Sequence, residues 1–128
     1  MLSTRALLAT SAILEGAVGL ALLLRPSIVA SLLLGAGAES NVAVVLGRLA
    51  GAALGALGTA CWFARDQPPG VARGLVASML LYNLLAAGLL TFVAVTDGLR
   101  TPLTWPVVSL HIAMMAWCVL GLRRAGGT

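Results

Sequence analysis

Apolar residues in this chain run in long unbroken stretches rather than alternating with polar ones. Four stretches are about twenty residues or more. They cover residues 3–24, with Arg5 and Arg25 near the ends, and 42–64, ending at Arg65-Asp66. The other two are 71–96, between the turn Gln67-Pro68-Pro69-Gly70 and Asp97-Gly98, and 102–122, ending at Arg123-Arg124. A hydrocarbon core of about 30 Å takes roughly 20 residues of helix, so each stretch predicts a membrane-spanning helix. The first is too long for a signal-peptide core and is interrupted by Glu15, so it reads as a retained span. Pro102 suits a helix start, where its missing N–H costs nothing, and Pro106 lies in the first turns, where it bends the helix slightly. A fifth apolar stretch, 26–35, is too short to cross. It predicts a short interfacial helix starting at Pro26 and stopping at Gly35, acting as an anchor, a cavity cap or a packed connector. The expected fold is an all-α membrane protein: one domain over 1–128, a four-transmembrane-helix bundle with a short interfacial helix between helices 1 and 2.

Composition removes the other classes. Apolar residues make up 60% of the chain and charged residues 9%, against roughly 25% charged in soluble domains. Disordered chains are polar, not greasy, and two cysteines make no disulfide scaffold. The net charge of +4 comes from eight arginines set against four acids. Nucleic-acid binding needs clustered positive charge, whereas these arginines stand near the ends of the apolar runs and predict topology. Arg5, Arg65, Arg73, Arg123 and Arg124 fall on one side. Arg25 and Arg100 fall on the other with Glu39 and Asp97, and Arg48 lies within a span. The positive-inside rule then places both termini in the cytoplasm. Trp62 and Trp117 are expected near that interface and Trp105 near the opposite one.

The second span carries Gly47-x3-Gly51-x3-Gly55, followed by Gly58. Small residues at this spacing let another helix approach closely, either within the bundle or as a face for a homo-oligomer or larger complex. Segments 44–50 and 107–113 also align faintly, as a duplication of helical hairpins would.

Polar residues fall near one depth. Glu15 is midway along the first span and His111 midway along the fourth. Asn83, beside Tyr82, is close to the centre of the third. Arg48 is offset by about 7 Å, within reach of its side chain. On helical wheels Glu15 shares a stripe with Ser11, Ala12 and Gly19; Arg48 with Gly51, Gly55 and Thr59; Asn83 with Ala87 and Thr91; His111 with Thr104, Val108, Met115 and Cys118. A charge at mid-membrane costs at least about 2.5–3.5 kcal/mol, and an unpaired Glu would sooner take up a proton. The expectation is therefore a Glu15–Arg48 pair completed by Tyr82, Asn83 and His111, forming a buried ligand or proton site. The plainer alternatives are a snorkelling Arg48, a protonated structural Glu15 and a neutral core His111.

No catalytic motif is present, and Glu15, His111 and Tyr82 are the only acid–base candidates. His111, Met115 and Cys118 share a face with soft ligand chemistry, but one helix does not make a coordination shell, so no metal or haem is expected. Cys61 and Cys118 read as packed thiols. A quinone or lipid is the cofactor-like ligand that such hydrogen-bond donors would suit.

Residues 7–19, LLATSAILEGAVG, resemble the first helix of small multidrug resistance transporters. That resemblance implies proton exchange at Glu15. The chamber-lining aromatics of that family have no counterparts here. Across most of its length the chain is similar to small four-helix bacterial inner-membrane proteins of the DoxX-like kind. The similarity rests on Arg48-Leu49-Ala50-Gly51, Cys61-Trp62-Phe63-Ala64-Arg65, Leu81-Tyr82-Asn83 and residues 105–111. Three functions follow as expectations: a non-enzymatic accessory or ligand-binding subunit, a proton-coupled transporter or channel using Glu15, and a quinone- or lipid-binding protein.

Overall fold

The computed structural model describes residues 3–36 and 39–124, apart from the side chains of Pro69 and Arg124. The described residues form five helices: α1 (Thr4–Leu24), α2 (Pro26–Leu34), α3 (Asn41–Ala64), α4 (Pro69–Thr96) and α5 (Thr104–Arg124). Four of them, all but α2, are long and apolar enough to cross a membrane.

Local chemistry explains the boundaries. Ser3 and Ser40 cap α1 and α3, each hydroxyl accepting a backbone N–H three residues on at 3.1 Å. The helix α4 starts at Pro69, earlier than the expected 71, because Pro68 and Pro69 supply the extended cap and the N1 proline of a helix start. The helix α5 starts at Thr104, not at Pro102, which sits in the turn before it. Gly35 ends α2 in the left-handed region, at φ 73°, where a Cβ would be strained.

The helices form two hairpins. α1 packs along α3, and α4 packs along α5, whereas contacts between the hairpins are sparse. The α1–α3 contact is close enough to bring backbones together. A Cβ on Gly51 would stand 2.7 Å from the Gly19 carbonyl oxygen, and one on Gly58 would stand 2.9 Å from the Gly16 nitrogen. The glycine stripe is therefore used inside the chain. Gly51, Gly55 and Gly58 all lie against the α1 backbone. Gly47 packs against Pro26, while Gly55 offers its backbone to Gly19 and its own Cβ position is open.

The apolar core lies toward the end that holds the start of α1. Leu7, Leu8, Cys61, Val76, Met79, Met114 and Cys118 meet there. At the opposite end, α2 is tied to the α4–α5 connection. The Thr101 and Thr104 hydroxyls each donate at 2.6 Å, to the Leu32 and Leu33 carbonyls respectively. Terminal helix carbonyls have no intrahelical donor, so these two threonines complete the C-terminus of α2 from about seventy residues away. On the spanning helices, Thr59, Ser78 and Thr96 return their hydroxyls to carbonyls four residues back, which satisfies them in hydrocarbon.

Gly51→Ala and Gly55→Ala should move stability in opposite directions. The first forces a methyl into backbone and should cost about 1–3 kcal/mol. The second fills open space and should gain about 0.5–1 kcal/mol from reduced backbone freedom. Reversible unfolding in mixed micelles reads both.

Candidate functional site

Three helices bring polar side chains together at mid-depth. On α1, Glu15 is 6% exposed and Ser11, one turn earlier, is fully buried. On α4, Asn83 is 1% exposed and Tyr82 is half-buried. On α5, His111 is half-buried. These positions face inward because each lies on its helix's packed stripe: Leu8, Ser11, Ala12, Glu15 and Gly19 on α1; Val76, Met79, Asn83 and Ala87 on α4; Thr104, Val108, Met114 and Cys118 on α5.

The Tyr82 hydroxyl lies close to the Glu15 carboxyl group, bringing the second hairpin up to the first. The Tyr82 ring meets the His111 imidazole edge-on, with centroids 5.7 Å apart. Asn83 Nδ2 donates to the Met79 carbonyl at 2.8 Å, which fixes the orientation of the amide. Its Oδ1 then faces His111 Nδ1 at 2.9 Å. An amide oxygen only accepts, so His111 carries a proton on Nδ1. A neutral His111 consequently keeps its lone pair on Nε2, with the tautomer set by Asn83. Ser11 Oγ is buried without a hydrogen-bond partner, as is Trp117 Nε1.

Arg48 does not join this group. It is exposed on α3, and among the described residues ion pairs form only where Arg5 and Arg65 meet Asp66. The expected Glu15–Arg48 pair is absent, for a geometric reason. The α3 face that meets α1 is occupied by Gly51, Gly58 and Cys61, and Arg48 lies about a quarter-turn around the helix from that face. Its long side chain suits snorkelling toward the headgroups. Glu15 thus has a phenol as partner where a guanidinium was expected.

Other positions fall as follows. Trp62 is exposed and stacks under the Arg65 guanidinium at 3.5 Å, and Trp105 is exposed near the start of α5. Trp117, expected at the interface, packs against the core, because it lies two turns inside the end of α5. Cys61 and Cys118 are free, fully buried and part of one core. No group of three metal-ligating side chains occurs among the described residues. Ser11 is the addition to the expected site, and its signal was available: a hydroxyl one helical turn from a buried carboxylate shares its face.

Chemically, the arrangement is a carboxyl group and an imidazole on opposite sides of a thin interhelical seam, with a phenol between them. The phenol lies beside the carboxyl group and abuts the imidazole edge-on. No continuous hydrogen-bonded wire joins Glu15 to His111 among the described residues.

Comparison with protein-family models, with curated proteins and with solved structures gives no match for this chain.

Asn83→Leu should leave His111 Nδ1 without its partner and cost about 1–3 kcal/mol, as lost buried hydrogen bonds do. Arg48→Gln should change stability by no more than about 0.5 kcal/mol, the usual range for exposed positions. Unfolding of both variants in the same micelles checks the ordering.

Proposed function

We propose that this chain is a non-enzymatic, multi-pass protein of a bacterial inner membrane, with both termini in the cytoplasm, whose working part is a buried proton-binding site at Glu15. The observation that carries this reading is a 6% exposed carboxyl group that lies beside the Tyr82 hydroxyl and pairs with no cation among the described residues. In hydrocarbon an ionised group without a counter-charge costs several kcal/mol. The protonated carboxyl is the form that this setting accommodates, and it both donates and accepts. Ionisable groups inside membrane bundles mark binding and proton sites more often than structural ones.

The location of the site gives protonation a mechanical consequence. Glu15 belongs to the α1–α3 hairpin; Tyr82, Asn83 and His111 belong to the α4–α5 hairpin. The seam between them is sparse, and the approach of Tyr82 to Glu15 spans it at mid-depth. Loss of the proton from Glu15 leaves an anion on that seam and favours its hydration and opening. An accessory or ligand-binding subunit that senses protonation fits this arrangement. The same seam favours a second reading, proton-coupled transport between the hairpins, with Glu15 as the exchanging group.

Infrared difference spectroscopy of the reconstituted protein tests the proton site. A carboxylic-acid C=O band should persist near neutral pH, vanish in Glu15→Gln and shift in Tyr82→Phe. A spectrum with no band assignable to Glu15 at neutral pH contradicts the reading. Dissipation of a pH gradient in liposomes, lost in Glu15→Gln, would distinguish transport from binding alone.

A further inference from the structure

Three arginines that the mid-bundle site does not use converge at the end of the bundle where α1 and α4 start. Arg5 near the start of α1, Arg65 just past α3 and Arg73 in the first turns of α4 line a cleft of about 220 Å³. The acid among them is Asp66, which meets Arg5 Nε at 2.9 Å and Arg65 Nε at 3.2 Å. Three guanidinium groups against one carboxylate leave an excess of two positive charges. Arg65 is held in place by the Trp62 ring, 3.5 Å below it, and by the Trp62 carbonyl. Arg73 makes no ion pair among the described residues.

The inner wall of the same cleft is aliphatic, formed by Ala72, Val76 and Leu122, and Val76 also belongs to the apolar core. The basic rim therefore stands where the spans leave the hydrocarbon. The length of α4 agrees with that depth. Its 28 residues extend about 42 Å, roughly 12 Å more than the hydrocarbon core, so the turn bearing Arg73 reaches headgroup level. Exposed Trp62 beside Arg65 is the kind of aromatic residue that settles at that level.

We propose that this cleft binds the phosphate of an anionic phospholipid. The guanidinium groups of Arg5, Arg65 and Arg73 hold the phosphate oxygens, and the first methylenes of the acyl chains lie along Val76 and Leu122. The planar guanidinium fork matches phosphate geometry, and basic clefts between spanning helices are suited to such headgroups. Free phosphate shares the oxygen chemistry but gains nothing from the aliphatic wall, which favours the lipid as the source.

The test is native mass spectrometry of the full chain released from nanodiscs of phosphatidylcholine doped with phosphatidylglycerol. Retained phosphatidylglycerol, with no retained phosphatidylcholine, is expected. Arg73→Gln should lower occupancy about fivefold, the effect of one interfacial arginine, and Arg5→Gln should lower it in the same direction. Arg48→Gln removes equal charge at a site away from the cleft and should leave occupancy unchanged. Excess inorganic phosphate should not displace the lipid. Equal losses in R73Q and R48Q, equal retention of the two lipids, or displacement by inorganic phosphate would each overturn the assignment.

Discussion

Hydrocarbon offers no hydrogen bonds, so every polar group carried into it must find its partner within the protein or reach the interface. That constraint governs this small bundle. Glu15, Asn83 and His111 have side chains too short to reach water from mid-depth, so they turn to the interior: Asn83 and His111 bond to each other within the second hairpin, and Glu15 faces Tyr82 from the first. Arg48 has a longer side chain and a position nearer one end of its helix, so it stays on the outer surface. The Thr59, Ser78 and Thr96 hydroxyls close onto their own helices instead, whereas Ser11 Oγ beside Glu15 is left without a partner.

The two hairpins are held by different physics. Within the first, backbones touch through Gly19, Gly51 and Gly58, and dispersion over that contact replaces the hydrophobic effect that lipid abolishes. Between the hairpins, the terminus-bearing end is joined by apolar packing, the middle by the approach of Tyr82 to Glu15 and the far end by α2, fastened through Thr101 and Thr104. A seam fixed at its ends and bridged by a protonatable group at its centre can respond to protonation without dismantling the fold. The arginines at the terminus-bearing end line a cleft separate from that mid-depth seam.

Much of this organisation can be read from the amino-acid order. The four spans, the short helix from Pro26 to the left-handed Gly35, and the inward stripes of α1, α4 and α5 follow from run length and helical period. Partner choice does not follow. Equal depth suggested that Glu15 would pair with Arg48, but the azimuth of α3 is set by where its glycines meet α1, and a shift of one position around the helix decides whether a side chain is inside or out. The bonds from Thr101 and Thr104 to α2 join segments about seventy residues apart, and no local pattern encodes them. Charge counting assigned Arg5, Arg65 and Arg73 to one side. Their convergence on one cleft depends on how the helix ends are arranged.

The central claim is that Glu15 faces Tyr82 across the seam and neither faces acyl chains nor pairs with Arg48. Solid-state NMR of the isotopically labelled chain in lipid bilayers measures this directly, through carbon–carbon correlations from the Glu15 Cδ. A cross-peak to Tyr82 Cζ, with none to Arg48 Cζ or to lipid methylenes, is the predicted result. A correlation of Glu15 Cδ with acyl-chain carbons or with the Arg48 guanidinium, and none with Tyr82, would contradict it.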